Sequence, residues 1–342
     1  MLNSRIAIIR SETLDPWFNL ALEEYLFSKV AAGQVLLLLW QNENTVVIGK
    51  HQNPWKECRL PEMERDGCKL TRRMSGGGAV FHDKGNLNFS FIMDRCLYNL
   101  ENQLNVILEA IRTLGIKAEF SGRNDLIAHG KKFSGNAYRF DDRTALHHGT
   151  LLVSADLEKL SRYLTVPPQK IQSKGVDSVR SRVANLGDFM DGLRLETMVF
   201  NLKTQFRRQY GDAAEFMFDF DLSMPELNEI YRRNASWEWR YGETPRFSIV
   251  FEQRFSWGNI EIQLKLEKGC IANATVYSDA MDMDLIEAIA QKLNSLSYRK
   301  AELLSGLSSL EPTSTNPAAL QDVIRWLAKQ NIPSEYEVST QT

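Results

Sequence analysis

Residues 71–83 read Thr71-Arg72-Arg73-Met74-Ser75-Gly76-Gly77-Gly78-Ala79-Val80-Phe81-His82-Asp83, and this stretch constrains the chain more than any other. Three successive glycines lack Cβ atoms, so the backbone there can take positive φ and lie close against another molecule. Successive N–H groups in such a turn converge on a concavity that favours an anion. Arg72 and Arg73 add permanently charged, forked donors suited to phosphate or carboxylate. The same residues also suit a plain hairpin loop flanked by two solvated arginines. They match neither the G-x-x-x-x-G-K-[ST] phosphate loop nor the G-x-G-x-x-G dinucleotide fingerprint, so the reading depends on what else the chain carries.

The chain has 342 residues, enough for a sizeable core and two domains. Its net charge of −2 gives no bulk basic surface for nucleic acid. The four cysteines, Cys58, Cys68, Cys96 and Cys270, form no C-x-x-C pair and no zinc spacing, and read as free thiols of a reducing compartment. Met1 to Pro16 shows no signal-peptide pattern. The longest apolar run, Val35 to Trp40, is too short to span a bilayer. The expectation is a cytoplasmic protein, of a bacterial cytosol, with neither membrane nor nucleic acid as partner.

Ile6 to Arg10 reads as a first strand. Asp15-Pro16 opens a helix, with aspartate as cap and proline at its first position. Val35 to Trp40 and Thr45 to Gly49 read as strands of one hairpin across Asn42-Glu43-Asn44. Asn53-Pro54 starts a helix running to about Asp66. Lys69 to Arg73 is a short strand, and Ala79 to His82 and Asn86 to Met93 are two more around Asp83-Lys84-Gly85. Leu100 to Leu114 is an amphipathic helix stopped by Gly115. A hairpin follows whose second strand carries Lys132. Leu146 to Val153 is a strand, and Leu157 to Leu164, Leu195 to Tyr210 and Pro225 to Asn234 are helices. Phe247 to Arg254, Gly258 to Glu267 and Cys270 to Ser278 are three strands with tight turns, and Asp284 to Leu293 and Ala318 to Lys329 are helices. Strands interrupted by helices make an α+β chain, with a large domain over 1–246 and a small α+β unit over 247–342.

Several side chains have more than one reading. In Lys131-Lys132-Phe133-Ser134-Gly135 the two lysines point to opposite faces of a strand, so only one can face a pocket. Asp125 suits either a Mg²⁺ oxygen ligand or a turn cap. Adjacent His147 and His148 also diverge, which disfavours a shared metal site. His82 suits a core or a pocket. No Gly-x-Ser-x-Gly elbow is present. A phosphate-friendly backbone, several arginines and one candidate lysine, without an obvious nucleophile, suit carboxylate activation rather than hydrolysis.

Asp15-Pro16-Trp17-Phe18-Asn19-Leu20-Ala21, Asn53-Pro54-Trp55-Lys56-Glu57-Cys58, Arg72 through Asp83, Ser121-Gly122-Arg123-Asn124-Asp125, Lys132-Phe133-Ser134-Gly135 and His148-Gly149-Thr150, in this order and spacing, resemble the lipoate–protein ligase A family. Trp237-Glu238-Trp239 and Arg254-Phe255-Ser256-Trp257-Gly258 resemble its long bacterial form. The resemblance implies a biotin/lipoate ligase-type catalytic domain with mixed and antiparallel sheets, followed by a small accessory domain. It implies that lipoate and ATP give lipoyl-AMP and pyrophosphate, and that the lipoyl group then passes to a lysine of a carrier domain. The implied acceptors are lipoyl domains of 2-oxo acid dehydrogenase complexes and the glycine cleavage H protein, with a monomeric enzyme.

The resemblance also implies roles. Lys132 becomes the catalytic lysine, touching both lipoate and ATP. Gly78, Ala79, Val80 and Phe81 bind ATP through backbone groups, with Arg73 as their arginine partner. Mg²⁺ shields the pyrophosphate, with Asp125 as a candidate ligand. Trp40, Val47 and Phe91 are candidates for an apolar tunnel around the acyl tail. Lys174 to Leu186 matches a loop that folds over the adenylate, with Arg180 or Arg182 as contacts. An ATP-independent octanoyl- or lipoyl-transferase on the same fold is the alternative; no cysteine lies beside the glycine loop, the Lys132 hairpin or the His148 strand in sequence, which disfavours its thiol-based form.

Overall fold

The computed structural model describes residues 4–121, 124–165, 183–244, 247–278, 280, 282–311 and 317–334. Two compact units emerge: residues 1–50 with 67–235, and residues 51–66 with 236–342. Residues 51–66 join the second unit because Trp55 sets its ring 5.6 Å from Tyr241 and 5.3 Å from Tyr298.

Among the described residues the first unit holds eleven strands: β1 Ile6–Ser11, β2 Val35–Trp40, β3 Thr45–Ile48, β4 Lys69–Arg72, β5 Val80–His82, β6 Asn86–Asp94, β7 Ala118–Ser121, β8 Asp125–Ala128, β9 Lys131–Phe140, β10 Thr144–Leu152 and β11 Ala214–Phe218. Eight form one mixed sheet in the order β11-β1-β2-β6-β10-β9-β8-β7. β1 runs parallel to both β2 and β11; the other pairs of this sheet are antiparallel.

Local chemistry explains the first crossover. Asp15 Oδ1 accepts from the Trp17 and Phe18 N–H groups at 3.0 and 2.9 Å, satisfying donors that a helix start leaves orphaned. Pro16 then occupies the first turn of the helix Pro16–Lys29, which carries the chain from β1 to a parallel β2.

Every residue of β2 is buried, because the sheet is covered on both faces. Val35, Leu37 and Leu39 enter one core with Phe89, Phe91, Ile107, Leu202 and Phe206. That core lies under the helices Leu100–Arg112 and Leu195–Tyr210. Leu36, Leu38 and Trp40 enter the other, with Phe18, Leu22, Leu26, Ile92 and Leu146, under Pro16–Lys29 and Pro225–Ala235. Fully burying each such side chain is worth roughly 1.5–3 kcal/mol.

β3 lies between β4 and β5 in a separate three-stranded sheet, parallel to β4 and antiparallel to β5. This corrects the expected β2–β3 hairpin. The segment between them changes sheets, with Asn42 fully buried and Asn44 at φ 42°. β5 and β6 likewise belong to different sheets. The expected helix from Asn53 is two short ones, Pro54–Glu57 and Leu60–Arg65. Cys58 between them is extended, and Pro61 has no N–H to continue a first helix into a second.

In the second unit, β12 Phe247–Phe255, β13 Gly258–Glu267 and β14 Cys270–Ser278 form an antiparallel sheet. Ile260, Ile262, Leu264 and Leu266 alternate into its core, as a strand with one buried face requires. The helices Met283–Leu293, Lys300–Ser308 and Pro317–Ala328 follow. Among the described residues, no helix is long and apolar enough to cross a membrane.

Candidate active site

One face of the large sheet is the floor of a cavity of about 400 Å³. Register sets its rows. Trp40 pairs with Asn88 and Asn88 with Thr150, and beside them Leu38, Ser90, His148 and Ala137 form a second row across four strands. Period-two alternation therefore sends Asn88, Ser90 and His148 toward the cavity side and Phe89, Phe91 and His147 into the opposite core. Trp40 and Val47 line the cavity. Phe91 does not: it stacks on His147 with centroids 5.7 Å apart.

The glycine loop forms another wall. Arg73 is 6% exposed, and its guanidinium is turned onto its own loop. Nη2 donates to the Gly76 and Gly78 carbonyls at 2.7 and 2.8 Å, Nη1 to Val47 O at 3.2 Å, and Nε to Ser75 Oγ at 3.1 Å. Burial lowers its pKa to about 10, which leaves it charged at neutral pH. Gly77 has φ 93°, a conformation that favours glycine. A Cβ on Gly49 would sit 2.4 Å from Gly77 O, so the end of β3 and the loop are in direct backbone contact. Gly78, Ala79 and Val80 line the cavity. The Phe81 side chain turns away and packs on Tyr163, with centroids 5.4 Å apart. Arg72, 1% exposed, donates to the Gly49 and Lys50 carbonyls.

Lys132 comes from the β8–β9 hairpin. His129 and Gly130 at the tip both have positive φ, 50° and 76°, which matches the twist of a tight hairpin. A register shift between Leu126 and Ile127 marks an irregularity of the kind that re-aims side chains. Lys131 is exposed, whereas Lys132 lines the cavity. Lys132 Nζ lies 2.6 Å from Asp125 Oδ1, and a Cβ on Gly135 would lie 3.2 Å from that ammonium.

Floor and loop are joined by a buried polar chain. Trp40 Nε1 donates to Ser90 Oγ at 3.0 Å, and Ser90 donates to Glu23 Oε1 at 2.5 Å. Glu23 Oε1 lies 2.8 Å from His148 Nδ1, and His148 Nε2 lies 2.7 Å from Ser75 Oγ. Glu23 is 1% exposed. The sequence reading gave Glu23, Ser75, Ser90 and Asn88 no role. The pattern Asn86, Asn88, Ser90 on an otherwise apolar strand was the available signal.

His82 lines the cavity. Burial first, then the positive charges of Arg73 and His148, lower its pKa to about 3. His147 is lowered similarly, by burial and then by His148. Among the described residues, no group of three His, Cys, Asp or Glu side chains is placed to hold a metal, and no cysteine lines the cavity. Gly122, Arg123, Arg180 and Arg182, with the rest of 166–182, lie outside the described residues.

Comparison with known proteins agrees with this geometry. The family described as "Lipoyl protein ligase A/B catalytic domain" matches residues 15–207, and "Bacterial lipoate protein ligase C-terminus" matches 244–327. A protein named lipoate-protein ligase A, from Psychrobacter cryohalolentis, is 40% identical over 94% of this chain and 98% of its own length. Among solved structures, Plasmodium falciparum LipL1 in complex with lipoate is 28% identical with TM-score 0.60, covering 95% of this chain and 99% of that one. A bi-partite lipoate protein ligase and its E2 lipoyl domain from Thermoplasma acidophilum gives 26% identity and TM-score 0.61, over 70% of this chain and 96% of that one. A lipoate-protein ligase A bound with ATP gives 26% and 0.59, over 69% and 98%.

A mixed sheet roofed by a glycine loop, with one lysine lining the cavity between them, defines an acyl–protein ligase. The chain belongs to the lipoyl protein ligase A/B family and is a ligase of the lipoate–protein type.

Proposed function

We propose that the protein joins free lipoate to ATP, giving lipoyl-AMP and pyrophosphate, and then passes the lipoyl group to a lysine of an acceptor domain, releasing AMP. The observation that carries this reading is that the Lys132 ammonium and the backbone of Gly77 to Val80 line one cavity. The first step brings a carboxylate against a triphosphate, two anions that repel. A compact ammonium between carboxylate oxygen and α-phosphate lowers that barrier, and in transfer it holds the acyl carbonyl as negative charge builds there.

Gly78, Ala79, Val80 and the backbone of Phe81 cradle the nucleotide phosphates in this account. Arg73 shapes that cradle, since its donors already hold the loop. Trp40 and Val47 flank the acyl tail. Mg²⁺ characteristically takes one or two carboxylates together with substrate phosphates, and a cavity with Asp125 as its carboxylate fits that habit. Asp125 would hold the ion, which would neutralise charge on the departing pyrophosphate.

The proposed acceptors are E2 lipoyl domains of 2-oxo acid dehydrogenases and the glycine cleavage H protein; the Thermoplasma ligase, solved with its E2 lipoyl domain, supports the first. We place the reaction in residues 1–246, with 247–342 accessory, in a cytoplasmic monomer. The test is lipoate-dependent exchange of labelled pyrophosphate into ATP, which this reading requires. Lipoyl or octanoyl transfer from a carrier protein with no such exchange would favour the ATP-independent transferase.

A further inference from the structure

The cavity contains two buried hydrogen-bond donors that adenylation leaves unused. His82 is 3% exposed and Asn88 1%, and both line the cavity. Among the described residues, neither His82 Nε2 nor Asn88 Nδ2 has a hydrogen-bond partner.

The network fixes where the His82 proton sits. Asn19 Nδ2 donates to the Thr13 and Gln41 carbonyls at 3.1 and 2.7 Å. Carbonyls only accept, so the orientation of this amide is set. The same Nδ2 lies 3.0 Å from Asn42 Oδ1, which turns Asn42 Nδ2 toward His82 Nδ1 at 3.2 Å. Nδ1 therefore accepts. The ring is neutral at physiological pH, so its one proton is on Nε2. Asn88 Oδ1 accepts from Asn86 Nδ2 at 3.0 Å, an assignment that leaves Asn88 Nδ2 and Asn86 Oδ1 without partners among the described residues.

The strand register places Asn88 relative to Lys132, and Trp40 places His82 beside it. Its ammonium lies over Gly135, whose N–H donates to Thr150 Oγ1 at 3.3 Å. Thr150 pairs with Asn88 and Asn88 with Trp40, and the Trp40 and His82 rings are 6.0 Å apart. Asn88 is thus two strands from Gly135, about 10 Å at ~4.8 Å per strand. That is the reach of an eight-carbon acyl chain whose carboxylate meets Lys132.

We propose that His82 Nε2–H and Asn88 Nδ2–H read the acyl tail, donating to sulfur of the dithiolane ring and so selecting lipoate over the all-carbon octanoate. The proposal rests on the ligase reading above. An octanoyl tail would bury both donors without an acceptor, which carries their desolvation cost. Disulfide sulfur is a weak acceptor, so the discrimination is about tenfold rather than several thousandfold.

The full-length enzyme is assayed for adenylation of lipoate and of octanoate, as wild type, His82→Phe and Asn88→Leu. The wild type is expected to favour lipoate about tenfold in kcat/KM, and each variant to bring the ratio toward one, chiefly by using octanoate better. A ratio taken within one preparation cancels any unfolded fraction. Ratios within about twofold of wild type in both variants would overturn the proposal. Should both variants be inactive, wild type is compared on 6-thiaoctanoate and octanoate, which differ by one sulfur for one methylene; equal use means a bridging water or nothing takes these donors, and overturns it. Wild type showing no lipoate-dependent pyrophosphate exchange would instead sink the ligase reading.

Discussion

The Lys132 ammonium lies 2.6 Å from Asp125 Oδ1, with the two side chains 38% and 39% exposed. A pair this open to water contributes about 0–1 kcal/mol to stability, so its value lies in the proposed reaction, where Asp125 aims the lysine and would hold the metal. Asp125→Asn should therefore shift the urea unfolding free energy by less than about 1 kcal/mol while lowering the adenylation rate about tenfold, on the order of one well-placed polar contact. Unfolding and pyrophosphate exchange measured on one preparation separate the two effects.

The three loop glycines are not equivalent. Gly77 has φ 93°, and a Cβ there would lie 2.8 Å from Arg73 Nη2, which is already committed to the loop carbonyls. Gly77→Ala should cost roughly 1–2 kcal/mol and raise KM for ATP. A Cβ on Gly78 meets nothing within 4 Å and its φ is ordinary, so Gly78→Ala should leave stability within about 0.5 kcal/mol of wild type. Thermal melts of both variants check this contrast.

Glu23 is buried, and the partners found for it are Ser90 and His148. His148→Leu removes a hydrogen bond to a buried carboxyl group and should cost about 1–3 kcal/mol. It also cuts the tie from the sheet floor to Ser75 Oγ, which keeps only its contacts to Arg73 and Gly76, so loop order should fall with stability. Hydrogen exchange over residues 75–79 together with urea unfolding reads both; full protection of the loop in a folded variant would contradict the coupling.

Much of this architecture was legible in the sequence, because the cues were local. Leu195–Tyr210 has an amphipathic period and ends at Gly211, and β13 alternates cleanly. Pairing was less legible. The residues between β2 and β3 look like a hairpin turn, yet Asn42 is anchored by Asn19 and His82 and delivers the chain to another sheet. β11 was missed because it pairs with β1, two hundred residues away, and no local turn announces it. In the site, Lys132 and Trp40 were found through motif and placement. Phe91 was assigned to the cavity from strand placement alone, whereas strand parity gives that face to Asn88 and Ser90.

Acid should destabilise the enzyme through its buried histidines. His82 and His147 have folded pKa values of about 3, against an unfolded value near 6.5. Below that unfolded value the unfolded chain binds protons that the folded chain refuses. Stability is therefore lost as pH falls from about 6.5 toward 3, at a slope approaching roughly 1.4 kcal/mol per pH unit for each histidine. Unfolding free energies between pH 6.5 and 5, above most carboxylate titration, should show this decline, and His147→Gln should make it shallower. A flat profile there would contradict the burial of neutral rings.

The central claim is that one ammonium lets a fatty carboxylate meet a nucleotide. Lys132→Leu keeps the aliphatic bulk and deletes the charge, so the most direct measurement is single-turnover formation of lipoyl-AMP by this variant, with circular dichroism and unfolding matched to wild type. The account predicts a folded protein whose adenylation rate falls at least about a thousandfold, on the scale of losing a key electrostatic group. A folded variant that forms lipoyl-AMP at the wild-type rate would contradict it.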